Sequence, residues 1–285
     1  MKVILHADDF GYNKEVSGDI IDCLKNGRLD SLSIMPNSPF FQECMKMLEG
    51  LPVEKTIHFS ISEGPSVAHS RELPLLTNDN GMFKLSFFKL LITSFFKKSE
   101  LKVELKRELK AQLDLALPYL DEINIDSHVH YHMIPLVMES LLEVVEESGR
   151  KIGYLRIPAE PISPFLKHLS LYKTYDLVNI VKNLVLNMLA LCDRKILKKY
   201  EYKTAVFFGI IMSGHMDIDR VALLINDFKN IANKRNMDLE ILAHPGRALS
   251  DETVLDPYND EYKKAPLSEN RHIEKNMFME ISKYL

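Results

Sequence analysis

Cysteine is scarce in this chain: Cys23, Cys44 and Cys192 are far apart, odd in number and lack CxxC spacing. That excludes a disulfide framework and a zinc knuckle, and the three read as reduced core residues. Long apolar runs are missing too. Lys89 interrupts the stretch from Phe87 to Phe96, and Asn179, Lys182, Asn183 and Asn187 interrupt the stretch from Leu177 to Cys192. Neither reaches the roughly 18 unbroken apolar residues that argue for a bilayer span, so no transmembrane segment is expected. The chain also lacks an excess of either charge, with 36 Lys and Arg against 40 Asp and Glu for a net charge of −4, and nothing in that balance recruits nucleic acid. Met1 to Ala7 reads as a strand running straight into Asp8 and Asp9, with no room for an export leader, so a cytoplasmic location is expected. No GxGxxG turn follows that strand and no GxSxG occurs, which leaves a dinucleotide-binding sheet and a serine nucleophile without their usual signals.

What is present is a rhythm. With 46% hydrophobic and 27% charged residues, the composition is that of a soluble globular protein. Short apolar segments recur at Val3 to His6, Ser31 to Met35, Thr56 to Ser62, Glu122 to His128, Gly153 to Ile157, Thr204 to Phe208 and Leu239 to Ala243, with helix-patterned segments between them. Val16, Ile20, Ile21 and Leu24 keep helical spacing up to Gly27, placed as a left-handed cap. Leu101, Leu105, Leu109, Leu113 and Leu117 form one helical stripe, with Lys102, Lys106 and Lys110 on a solvated face. Such alternation predicts βα units on a parallel sheet, and 285 residues suit one α/β domain. The expected fold is a TIM-like (β/α) barrel, irregular and of about seven strands, spanning 1–285 as a single domain with a helical insert near 163–200.

Residues able to bind metal or move protons cluster at strand ends, which in a parallel barrel open on one face. Asp8 and Asp9 close the first segment. His58 lies in the third, where period 2 puts Ile57, Phe59 and Ile61 on one side and His58, Ser60 and Ser62 on the other. His128 closes the fourth within Asp126-Ser127-His128-Val129-His130-Tyr131-His132, and His244 closes the seventh before Pro245-Gly246. Two imidazoles and a carboxylate make a three-ligand site with open positions for water and substrate, while the aspartate of the pair that does not bind metal and His244 suit a base and an acid. Plainer roles stand beside these. Asp-Asp after a strand also reads as a helix N-cap, for which Asn13 is an equal candidate; His58 alone also reads as a satisfied core histidine; and Pro245-Gly246 also reads as a simple turn.

Taken in order, Ala7-Asp8-Asp9-Phe10-Gly11, Ile57-His58-Phe59 with Glu63-Gly64-Pro65, the Asp126 to Met133 segment, Leu155-Arg156-Ile157-Pro158 and Ala243-His244-Pro245-Gly246 resemble the YdjC-like carbohydrate deacetylases over most of the chain. The resemblance implies hydrolysis of the acetamide of an N-acetylglucosamine-type sugar, chitooligosaccharide-like, with one divalent ion held by Asp9, His58 and His128. Magnesium is implied by the family, and zinc suits the imidazoles. It further implies Asp8 as base, His244 as acid, and Asp126, His130 and Arg156 as supporting or substrate-facing residues. His6 departs from the family's asparagine before Ala-Asp-Asp. A homodimer is expected from the family and the apolar insert. Two other readings stay open: a lipid- or nucleotide-linked amino sugar of envelope biosynthesis as substrate, and a barrel that binds sugar without turnover.

Overall fold

The computed structural model describes residues 1–250, 253–256 and 264–285. All seven expected strands form: β1 (Val3–Phe10), β2 (Ser31–Ile34), β3 (Glu54–Phe59), β4 (Ile123–Ser127), β5 (Ile152–Leu155), β6 (Ala205–Phe208) and β7 (Asp238–Ala243). They make one parallel sheet in the order β5-β4-β3-β2-β1-β7-β6. Its two edges meet just before β6, where the Leu155 N–H donates to the Lys203 carbonyl at 2.9 Å and the Lys203 N–H to the Gly153 carbonyl at 3.1 Å. The sheet thereby curls into an irregular TIM-like α/β barrel, because each strand's twist carries the edges toward one another.

The surrounding helices are α1 (Lys14–Asn26), α2 (Phe41–Met47), α3 (Phe87–Phe96), α4 (Lys98–Ala116), α5 (Pro135–Glu147), α6 (Ser163–Lys167), α7 (Leu177–Leu197), α8 (Ile218–Arg235) and α9 (Asn270–Glu280). Asn13 is the N-cap of α1, its side chain accepting from the Val16 N–H, so the aspartates before it are spared that task. Helix α1 ends differently from expectation. Gly27 sits at φ −113°, outside the left-handed region; it is needed instead for close approach, since a Cβ there would lie 2.7 Å from the Phe278 carbonyl oxygen. On α4 the leucine stripe is buried while Lys102 and Lys106 pair with Glu143 of α5. Helix α4 also reaches inward: Glu104 accepts the Leu75 and Leu76 N–H groups, and Glu108 those of Val67 and Ala68, pinning the long connection after β3. Of the cysteines, Cys23 and Cys44 are buried, but Cys192 is exposed on α7, which corrects its reading as a core residue.

Two alternating sets of side chains divide the barrel wall. Leu5, Ala7, Leu32, Ile34, Ile57 and Ile125 are fully buried in the apolar core. The alternate residues meet inside the barrel and, apart from Phe207 and Leu242, are largely polar, unlike the branched aliphatic layers common in such barrels. At their centre lies Arg156, wholly buried just after β5. Its guanidinium holds both oxygens of Asp8 at 3.0 Å, Asp126 at 2.7 Å and Glu240 at 2.7 Å. His6 fills the space beside it, with Nδ1 2.7 Å from Ser31 Oγ and Nε2 2.6 Å from Ser33 Oγ, and the Tyr154 hydroxyl donates to Glu240. One cation thus ties β1, β4 and β7 across the lumen. Removing it strands three buried carboxylates, so Arg156→Leu is expected to cost about 3–5 kcal/mol in urea unfolding. Arg156→Lys should recover only part of this, because an ammonium cannot fork between carboxylates; an unchanged unfolding midpoint in Arg156→Leu would contradict the strut role.

Candidate metal centre and active site

At the C-terminal ends of the strands, Asp9, His58 and His128 bring three donor atoms together. Asp9 Oδ1 lies 3.5 Å from His58 Nε2 and 3.2 Å from His128 Nδ1, and the two ring nitrogens are 3.3 Å apart. Donors that share one cation at about 2.1 Å lie about 3.0 Å apart at octahedral angles and about 3.4 Å at tetrahedral ones, so this triangle fits a divalent ion. Facing ring nitrogens and a carboxylate at this spacing make a donor set that could hold a cation.

The backbone is bent to achieve it. Asp9 takes φ +72°, and pairing of β1 with β2 shifts register between Ala7 and Phe10, so Asp9 turns to the rim while Asp8 points into the barrel. Past His128 the chain enters the left-handed region at Val129 (φ 52°) and His130 (φ 62°). A β-branched residue there is strained, and such strain concentrates at functional sites. The kink also separates the three alternate histidines. His128 joins the triangle; His130 lies against the Phe207 ring on the pocket wall, buried, with Nδ1 lacking a hydrogen-bond partner; His132 is locked inside by Ser127 Oγ at 2.6 Å and the Arg156 carbonyl at 2.9 Å. Burial pushes the His132 ring down to about 4, as expected for an interior neutral imidazole.

Each ligand has a partner that aims it. His58 Nδ1 is 2.7 Å from Asp126 Oδ1, while Asp126 Oδ2 accepts from Ser33 Oγ at 2.5 Å. His128 Nε2 is 2.9 Å from Glu63 Oε2, and Glu63 Oε1 accepts from the Tyr12 hydroxyl at 2.8 Å. Two carboxylate–imidazole pairs thus orient the two ring ligands. Arg271 of α9 reaches the other oxygen of Asp9 at 3.0 Å. Burial alone would lower both rings, but the surrounding carboxylates outweigh it: His58, beside Asp126 and Asp8, is raised to about 10, and His128, beside Asp9 and Glu63, to about 9. Burial would raise Asp9 and Asp8, yet hydrogen bonds from His128 and His58 hold Asp9 well below the usual carboxylate range, and the Arg156 charge does the same for Asp8.

A cavity of about 480 Å³ opens over this triangle, lined also by Asp8, His130, Lys182, His244 and Glu274. His244 Nδ1 is 3.3 Å from Glu274 Oε2, which also accepts the His244 backbone N–H at 2.6 Å. Asp126 and Arg156, both fully buried, stand behind the ligands rather than in the cavity. Glu63, Arg271 and Glu274 were not singled out as functional from the sequence; only Glu63 carried a signal, in Glu63-Gly64-Pro65. Lys182 was noted only as a break in an apolar stretch, yet α7 brings it to the cavity wall, where burial pulls its ammonium down to about 8. A larger concavity of about 920 Å³ lies elsewhere, between Asp121–Ile123, Gly149–Gly153 and Lys199–Lys203, away from all of these groups.

Fold and site together define an α/β-barrel protein whose strand ends gather Asp9, His58 and His128, a group that could hold a metal ion. The YdjC-like protein family model matches residues 2–281, and the chain belongs to that family. Curated relatives named carbohydrate deacetylase include one from Danio rerio, 28% identical over 56% of this chain and 51% of its own length, and one from Brevibacillus brevis, 32% identical over 54% and 59%. The chain thus spans about half the length of the curated relatives it matches. A crystal structure of a putative cellobiose-phosphate cleavage protein from Enterococcus faecalis superposes with a TM-score of 0.65 at 16% identity, covering 99% of this chain and 91% of that one; it shows the shared fold.

The two raised imidazoles give the centre a pH signature. Without metal both rings hold their protons at pH 7, below their values of about 10 and 9, and a cation must displace the protons facing it. Zinc or manganese binding should therefore release protons and tighten as pH rises from 7 toward 9, measured by calorimetry in buffers of different ionisation enthalpy. Affinity independent of pH would contradict the ligand set.

Proposed function

We propose that this protein is a metal-dependent carbohydrate deacetylase, a hydrolase that converts the N-acetyl group of an N-acetylglucosamine-type sugar, chitooligosaccharide-like, to free amine and acetate. The observation that carries this reading is the convergence, around one cavity, of the Asp9, His58 and His128 triangle with a carboxylate, Asp8, and an imidazole, His244. The curated relatives' names support it. Asp9, His58 and His128 would hold a divalent ion, magnesium by family resemblance or zinc by the imidazoles, which would supply carbonyl polarisation and a more acidic water.

The chain's own groups do the rest. Arg156 keeps Asp8 ionised and fixed by two hydrogen bonds, so it receives the proton of the attacking water without having to reorient. His244, steadied by Glu274, returns a proton to the leaving nitrogen. Asp126 and Glu63 hold the ligand rings, and Lys182 offers a positive charge to the substrate or to the oxyanion that forms. A barrel that merely bound sugar would have no use for both a base and an acid. A cytoplasmic setting belongs to the same reading. A second reading, in which the amino sugar is lipid-linked, is favoured by the exposed apolar residues of α7, which lines the cavity, and of α3.

Acetate release from N-acetylglucosamine oligomers and their phosphorylated derivatives, using metal-stripped protein with single metals added back, tests the proposal. Asp8→Asn should keep bound metal and lose turnover by a factor of about 10²–10⁴, while His128→Ala should lose both metal and turnover. Lys182 predicts tighter binding of the phosphorylated sugars. Metal content unchanged in His128→Ala, or full activity in Asp8→Asn, would contradict the assignments.

A further inference from the structure

Two helices, α7, which lines the cavity, and α3, which packs against the turn after β4, carry apolar residues that none of the described residues covers. On α7, Leu177, Val181, Leu184, Met188 and Leu191 repeat at spacings of four and three, each 48–72% exposed. On α3, Phe88, Ile92, Phe95 and Phe96 are 56–84% exposed. Both helices adjoin the same segment of the site. Phe87 of α3 packs edge-on against Tyr131 at 5.2 Å, and α7 packs against the His128–Met133 turn. Exposed Val129, in that turn, and Val178, on α7, line the cavity itself. Monomeric proteins rarely leave large apolar patches open, and the stripe on α7, a helix that lines the cavity, reads as an interaction face.

Charge decides what covers it. The protein is net acidic, yet residues 86–98 and 163–200 together hold ten of its 36 lysines and arginines and only two of its 40 aspartates and glutamates. Lys89, Lys97 and Lys98 sit exposed beside the phenylalanines, and Lys173, Arg194 and Lys195 are exposed along the α7 region. Apolar side chains bordered by lysine are the pattern of a helix lying in the interface of an anionic bilayer. No helix among the described residues is long and apolar enough to cross a membrane. The spacing on α7 also suits a helical seam with a second copy. Such a seam would leave α3 bare, would bring like charges together, and would lie across Val178 at the mouth. A bilayer can take up the apolar residues of both helices, and α7 itself lines the cavity that a lipid-borne substrate would enter.

We propose that α3 and α7 dock this protein on an anionic lipid surface, presenting its catalytic cavity to amino sugars carried on lipids. The substrate half of this proposal rests on the deacetylase reading; the docking half does not. The test is flotation of the full chain with vesicles of phosphatidylglycerol and phosphatidylethanolamine, against pure phosphatidylcholine, for the parent and for Phe95→Ser/Phe96→Ser/Leu184→Ser/Met188→Ser. The parent should float with the anionic vesicles and be released by high salt, while the variant binds at least tenfold less and deacetylates soluble N-acetylglucosamine oligomers as before. Lack of flotation by the parent, or equal flotation by the variant, would overturn the docking surface. So would a parent dimer in sedimentation that the variant abolishes, which would assign the face to a second copy. Flotation without acetate release from any sugar would keep the docking surface and reject the deacetylase reading.

Discussion

A single guanidinium organises this barrel. Arg156 leaves the end of β5, turns inward and engages Asp8 on β1, Asp126 on β4 and Glu240 on β7. Burying three carboxylates in one lumen would be prohibitive without a cation among them, and an arginine can fork among several where a lysine would meet one. Asp126 extends the arrangement outward, because its other oxygen holds His58. The metal-facing nitrogen of His58 is thus aimed by a chain running from the barrel centre to the rim. Asp8, on the same cation, is kept ionised at the floor of the cavity.

The rim adds what the lumen cannot. Backbone strain at Asp9, Val129 and His130 turns the ligands toward one another, and such strain persists only where the surroundings enforce it. Glu63 steadies His128 from the connection after β3, which α4 anchors through Glu104 and Glu108, and Tyr12, just after β1, holds Glu63. Glu274 steadies His244 from α9. Asp8 and the candidate ligands sit on strands and at their ends, while the groups that orient them come partly from the lumen, Asp126 and Arg156, and partly from loops and outer helices, Glu63, Arg271 and Glu274.

The strands and the metal triangle were legible because period 2 and strand-end position are local properties of the sequence. His58 shows this best: Ile57 and Phe59 point to the helices and His58 to the interior, as the alternation implies. The three alternate histidines were only partly legible. A strand-like reading places His128, His130 and His132 on one face, but the left-handed turn after His128 sends them to different places. Arg156 stood in a recognisable motif, yet its contacts lie on strands far away in sequence, and only closure of the barrel brings them to it. Glu274, Arg271 and Lys182 come from helices, where a charged residue looks like any solvated one until packing places it. Gly27 was misread for a related reason, since the backbone of Phe278 that crowds it is 251 residues away.

Everything catalytic in this reading depends on one point in space, the position shared by Asp9 Oδ1, His58 Nε2 and His128 Nδ1. A crystal soaked in manganese and measured for anomalous scattering would locate it. The geometry predicts one peak about 2.0–2.3 Å from all three atoms, with Arg271 retained on or released from Asp9. A peak instead among His6, Asp8 and Asp126, the other cluster of potential ligands, or no peak in protein that binds manganese in solution, would contradict the assignment.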